Sequence, residues 1–182
     1  RTPLGNLGEV PTTSRDIVLG DIDGDGDLDA IARHGGLAPG GLNAIYINNN
    51  GAFDLAPVAL GTHTSITRGM AIGDLDRDGD LDVVAGNFQD QNVYHLNDGT
   101  GNFTAGTPVD AARQANTWRI HLVDVDGDSD LDLIESVSGD RNFLYLNQLM
   151  ENGGALSFSS SIPITSDNFE TRSLALGDVD ND

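Results

Sequence analysis

Apolar and polar residues alternate along this chain in short runs, and the runs return at a fixed interval. SRDIVLG, TRGMAIG, TWRIHLV and TRSLALG (14–20, 67–73, 117–123 and 171–177) share one alternating pattern, that of a half-buried strand. Some ten residues further on stand LDAIA, LDVVAG and LDLIES, again extended in character. NAIYINN, NVYHLND and NFLYLNQ predict a third strand that ends in Asn. A turn such as NDGTGNF and an aromatic (Phe53, Phe103 or Phe158) then lead to a last extended stretch, for example FTAGTPVD. Each unit is therefore four short strands over about 52 residues, a spacing that predicts propeller blades. One four-stranded unit cannot bury a core alone, so the units must stack. No segment carries a helical apolar stripe between caps. The expected fold is all-β, a propeller of four-stranded antiparallel blades. Its expected division is 1–13 (end of a preceding blade), 14–66, 67–116 and 117–170 (blades), and 171–182 (start of a truncated blade).

Between the first and second strands of each unit lies an acidic segment. It reads DIDGDGDLD (Asp21, Asp23, Asp25, Asp27, Asp29), DLDRDGDLD (Asp74, Asp76, Asp78, Asp80, Asp82) and DVDGDSDLD (Asp124, Asp126, Asp128, Asp130, Asp132). A fourth begins as Asp178, Asp180 and Asp182. These segments hold 18 of the 25 aspartates, so the charge is concentrated at four points. Oxygens at positions 1, 3 and 5 of a tight loop converge on one point, as in an EF-hand. Position 12, where an EF-hand places its bidentate Glu, holds Ala32, Ala85 and Glu135, whereas position 9 is Asp in every complete copy. The pattern predicts a shortened loop that ligates through side chains at 1, 3, 5 and 9 and a carbonyl at 7. The side chains of Asp27, Asp80 and Asp130 are then expected to point outward. Such a set offers the six to eight oxygens that Ca²⁺ takes, and suits the stricter octahedron of Mg²⁺ less well. Without a cation, two carboxylates ~5 Å apart in water repel by about 0.8 kcal/mol, so an acidic solvated turn is the competing reading. Position 6 needs a sharp turn and holds Gly26 and Gly79, but Ser129 in the third loop. A positive φ there costs a non-glycine residue ~1 kcal/mol and weakens the third site.

Composition narrows the function. Among 182 residues there are 9 Lys and Arg against 29 Asp and Glu, a formal net charge of -20. That excludes nucleic acid and anionic membrane surfaces as partners, which need basic patches. There is no Cys, which removes disulfides, thiolate zinc sites and thiol nucleophiles. No apolar run reaches the ~20 residues of a membrane span. The chain starts at Arg1 and shows no signal peptide, as expected of a mature or internal piece. The sequon Asn102-Phe103-Thr104 reads as a chance match.

The repeat, written xxGDxDxDGDxDLxxx-strand-NxG-x-F, resembles the FG-GAP/VCBS family of β-propeller repeats, also found in integrin α-subunit heads. The resemblance covers nearly the whole chain, and D-x-D-x-D-G-x-x-D is its most specific part. It implies a propeller, most often seven-bladed, with Ca²⁺ in the loop between the first two strands of a blade. The matching ligands are the aspartates named above, with Asp27, Asp80 and Asp130 acting through their carbonyls. This gives three complete Ca²⁺ sites and a truncated fourth. Seven such repeats need roughly twice the residues present, so a segment of a longer chain is expected.

The leading functional expectation is a Ca²⁺-stabilised recognition, adhesion or structural module of a secreted or cell-surface protein. Its partner would be a glycan, a protein or its own neighbours. One alternative is the propeller scaffold of a carbohydrate-active enzyme of the polysaccharide lyase or sugar dehydratase type; another is a self-assembling surface fibre subunit. An enzyme needs an acid–base pair at a pocket, yet His34, His63, His95 and His121 lie at different repeat phases. The recurring Arg15, Arg68 and Arg172 suggest either acidic-sugar binding or a structural pair with a neighbouring Asp or carbonyl. Trp118 takes their place in the third unit, either to stack on a sugar or to pack in the core.

Overall fold

The computed structural model describes residues 16–33, 42–54, 56–62 and 64–177. Arg15, His34, His63, Asp178, Asp180, Asp182 and the expected end of a preceding blade lie outside these residues. Among the described residues twelve strands run in order: β1 (Ile17–Gly20), β2 (Asp29–Ala32), β3 (Ala44–Tyr46), β4 (Val58–Ala59), β5 (Ile66–Gly73), β6 (Asp82–Asp90), β7 (Val93–His95), β8 (Thr107–Pro108), β9 (Ala115–Val123), β10 (Asp132–Val137), β11 (Phe143–Tyr145) and β12 (Ile162–Pro163). They form three antiparallel meanders, β1–β4, β5–β8 and β9–β12. The fold is a partial β-propeller of four-stranded blades. The first blade is a separate sheet. The second and third are joined where the far end of β6 pairs with the start of β9, Phe88 opposite Asn116 and Asp90 opposite Ala115. No helix among the described residues is long and apolar enough to cross a membrane.

The core lies between blades rather than within them, as expected of units that cannot bury a face alone. Ile22, Ile31, Ile45 and Leu60 of the first blade pack against Met70 and Val83 of the second. Leu75, Val84, Tyr94 and Val109 of the second repeat the arrangement against Ile120, Leu133 and Tyr145 of the third. The turn aromatics join in: Phe103 enters the first of these clusters, and Phe158 meets the Tyr94 ring edge-on at 5.9 Å. Phe53, Phe103 and Phe158 each form an isolated bridge to the Asn that ends the third strand (Asn48, Asn97, Asn147), which fixes the same turn three times.

The first strands of neighbouring blades approach closely. A Cβ on Gly69 would lie 2.7 Å from both the Trp118 carbonyl oxygen and the Arg119 Cα, so only glycine fits there. Threonine and asparagine tie the blades at the same end. Asn43 Nδ2 donates to Thr67 Oγ1 at 2.9 Å, Thr117 Oγ1 lies 2.9 Å from Asn92 Oδ1, and Asn142 Nδ2 donates to Thr171 Oγ1 at 3.1 Å. Each Thr opens one repeat, and each Asn opens the third strand of the repeat before it.

Candidate metal centres

The acidic segments occupy the β1–β2, β5–β6 and β9–β10 connections, all at one end of the blades. Each folds by the same set of bonds from backbone N–H to carboxylate. The position-6 N–H donates to the position-1 carboxylate: Gly26 to Asp21 at 3.0 Å, Gly79 to Asp74 at 3.1 Å, Ser129 to Asp124 at 3.0 Å. The position-5 N–H reaches Asp23, Asp76 or Asp126 at 3.3 Å. The position-7 N–H donates to Asp25 at 2.8 Å, Asp78 at 2.9 Å and Asp128 at 2.8 Å. Short side chains that accept a bond from two residues on explain why aspartate recurs at period two. Each bond engages one oxygen and orients the other.

Position 9 is the clamp. Asp29, Asp82 and Asp132 are fully buried. One oxygen of each accepts the position-2 N–H of Ile22, Leu75 or Val125 at 2.7, 2.8 and 2.9 Å. The other accepts the N–H of Asn48, Asn97 or Asn147 at 2.7, 2.9 and 2.8 Å. Burial pushes the Asp82 carboxyl up to about 6, helped by the charges of Asp76 and Asp78 and opposed by its two N–H bonds. Asp132 is raised for the same reasons, with Asp126 and Asp128 as the charges. Asp23 and Asp76 are also raised, by burial first and by neighbouring carboxylates second.

Three carboxylates per loop offer oxygens within 4.8 Å of one another: Asp21, Asp23 and Asp29; Asp74, Asp76 and Asp78; Asp124, Asp126 and Asp132. Asp25, Asp82 and Asp128 fall outside those triads. The donor set fits a hard divalent cation, being all oxygen. An independent feature agrees. Asp21 Oδ1, Asp74 Oδ1 and Asp128 Oδ2 are shielded from solvent and accept no hydrogen bond, a costly state for a carboxylate oxygen unless a cation meets it.

The seventh side chains do not simply point outward as expected. Asp27 Oδ2 accepts the Asn50 N–H at 2.7 Å, and Asp130, fully buried, accepts that of Met150 at 3.2 Å. They brace the loop against the turn that follows the third strand. Asp130 also faces the Arg77 guanidinium of the neighbouring loop at 3.6 Å. The position-6 expectation holds: φ is +94° at Gly26, +99° at Gly79 and +76° at Ser129. Position 4 is left-handed too, at Gly24, Arg77 and Gly127, with Arg77 at +63°. Glu135, the one Glu at an EF-hand position 12, faces away from the loop. It sits buried beneath Arg113, with Thr117 Oγ1 at 2.5 Å and the Tyr145 hydroxyl at 3.0 Å. Glu151, which the sequence reading passed over, lies near Asp128 and Asp130. Its only signal was the longer NQLMENGG turn.

Asparagine at the end of the third strand has a second role. Asn97 Nδ2 donates to the Ile22 carbonyl at 2.8 Å, and Asn147 Nδ2 to that of Leu75 at 2.9 Å. Both acceptors are position 2 of the acidic loop in the preceding blade. The first and second loops are thus each tied to the next blade through one side-chain amide.

Arginine at the second position of a repeat is stacked. Arg68 lies over the rings of Phe88 (3.7 Å) and Trp118 (4.1 Å), and Arg172 over Trp118 at 5.6 Å. Trp118 is the centre of the stack, and Arg172 Nε also pairs with the Glu170 carboxylate at 3.1 Å. His95 is buried, its Nδ1 2.9 Å from the Thr104 carbonyl oxygen. His121 is half-buried, and burial, with Arg119 beside it, lowers its pKa.

Three like-built acidic loops, one in each blade and the first two latched to the blade that follows, define a β-propeller repeat array with candidate metal sites. The FG-GAP-like repeat model matches residues 21–85 and again 74–135, each match running from one acidic loop into the next. The chain belongs to this family. No curated protein matches it.

Proposed function

We propose that the chain is a Ca²⁺-stabilised module of a secreted or cell-surface protein, serving recognition, adhesion or assembly. The observation that carries this reading is the repeated loop, in which backbone N–H groups pre-position the carboxylates and, for the first two loops, the next blade holds the position-2 carbonyl. A cation there cross-links the first hairpin of a blade and, through Asn97 or Asn147, stiffens the seam to its neighbour. The ligands are the position-1, 3, 5 and 9 side chains and the carbonyls of Asp27, Asp80 and Asp130. This makes three complete sites, and Asp178, Asp180 and Asp182 begin a fourth. Calcium-binding modules that work outside the cell bind in the 10⁻⁴–10⁻³ M range, which suits open, water-accessible loops. The chain's high negative charge concentrates cations and repels polyanions. Titration calorimetry tests the reading. Ca²⁺ is expected to bind at about three sites per chain and Mg²⁺ far more weakly, and Asp74→Asn combined with Asp76→Asn should remove one site. Equal binding of both ions, or none, would overturn it.

A further inference from the structure

At the end of the blades opposite the acidic loops, a cavity of about 490 Å³ opens between the second and third blades. Gln89, Gln114, Asn116, Ser138 and Asp140 supply its polar wall, with Ala115 and Val137 as small apolar surfaces. The cavity lies where β6 and β9 splice, at the register break between Phe88 and Asp90. Gln89 occupies that bulge with φ at +55°, a conformation that disfavours a side-chain-bearing residue. Gln89 lines the cavity from this bulge, and a bulge held at a backbone cost beside a cavity is the pattern of a binding site. The frame around it is rigid. The buried Arg113–Glu135 pair, with Thr117 and Tyr145, pins the segment that carries Gln114, and Arg113 Nη2 reaches Asp140 at 3.4 Å. The Ser138 N–H donates to the Asn116 carbonyl at 2.9 Å and joins the two sides.

We propose that this cavity binds a neutral sugar residue of a glycan. Three carboxamides and a hydroxyl each offer both donor and acceptor, which matches sugar hydroxyls that do the same. The chain's net charge of -20 disfavours an anionic sugar, and Arg68, Arg113 and Arg172 are held in stacks and ion pairs, Arg113 with Glu135 and Asp140. A peptide would ask for apolar subsites between its amide groups, and the wall supplies only Ala115 and Val137. The volume falls in the range of small-molecule sites. No aromatic ring lines the wall, so affinity for a single sugar is millimolar, and tight binding requires several sites at once. Gln89 lies seven residues beyond Asp82 along β6, about 23 Å at 3.3 Å per residue, so the sugar contacts no metal ligand.

The inference rests on the recognition reading of the chain, and the experiment separates the two. The calcium-loaded protein is titrated with glucose, galactose, mannose and N-acetylglucosamine, and amide NMR shifts are followed. At least one sugar is expected to bind in the millimolar range and to move the amides of Gln89, Gln114, Asn116 and Ser138. Gln89→Gly, which relieves the backbone, should weaken binding about tenfold without lowering the melting temperature; Asn116→Ala gives a second check. Binding that survives both variants, or that moves other amides, overturns the cavity and leaves the recognition reading standing on another surface. No binding up to tens of millimolar, or a preference for glucuronate or a peptide, overturns the neutral-sugar assignment, while calorimetry with Ca²⁺ still decides the calcium reading independently.

Discussion

The second and third acidic loops share aspartates at positions 1, 3, 5, 7 and 9 but handle the first carboxylate differently. In the second, Asp74 gives one oxygen to the Gly79 N–H, and its other oxygen is buried and accepts nothing. In the third, Asp124 is satisfied at both oxygens, by Gly127 at 2.7 Å and Ser129 at 3.0 Å. The second loop turns at Gly79, whereas the third forces Ser129 into the left-handed region. The third loop, in turn, is more deeply braced, with Asp130 buried against Met150 and Arg77. The difference teaches that an acidic repeat is not one device copied three times. The second loop is shaped around a charge it lacks among its own atoms; the third has moved part of that work into its own hydrogen bonds.

What the loops share should give the largest effect. Asp82→Ala strips acceptors from two N–H groups at a fully buried position, as does Asp132→Ala. Each should cost about 3 kcal/mol in a urea melt with chelator present. Unequal costs would extend the contrast between the loops to position 9. Next is pH. Burial raises the Asp82 carboxyl to about 6 in the folded chain, against an ordinary value of 3.8. Without metal, the folded state therefore binds the extra proton between those values. Stability in chelator should rise as pH falls from 7 towards 4, by on the order of 2–3 kcal/mol from this group, and be lost as pH rises through 6. Calcium holds the ionised form, so its apparent affinity should fall below pH 6. A metal-free melt that is flat from pH 4 to 7 would contradict this.

The contrast itself is tested by Asp74→Asn beside Asp124→Asn. In chelator, Asp74→Asn should be neutral or stabilising, because the orphaned oxygen disappears while the Gly79 bond can persist. Asp124→Asn should cost about 1 kcal/mol, since one of its two N–H groups loses its acceptor. In calcium, the order should reverse. The smallest expected effect is Ser129→Gly, a gain of about 1 kcal/mol or less from relieved backbone strain, with tighter calcium binding at the third loop by calorimetry.

Much of this molecule was legible because its information is periodic. Aspartates at period two, Asn at the close of the third strand and the turn aromatics recur at a fixed interval, and they gave the blades, the acidic loops and the family. What was hidden depends on contact between repeats. Asn97 and Asn147 read as turn residues, yet each also bonds the loop of the preceding blade, a partner more than 70 residues away in sequence. Glu135 stood in the sequence only as the occupant of an EF-hand position 12, and the placement of Arg113 and Tyr145 shows its role. Arg68 and Trp118 repeat a position, but their stacking follows from how adjacent first strands converge. The strain at Gln89 arises from the β6–β9 splice, which no single repeat contains.

The central claim is that the acidic loops hold cations and that these cations hold the blades together. The most direct test is the thermal melt of the native chain in excess EGTA and again in millimolar Ca²⁺. A melting temperature that climbs with free Ca²⁺, as mass action requires of ligands bound only by the folded state, is the predicted result. The same melting temperature in both, with no metal retained after chelation, would contradict it.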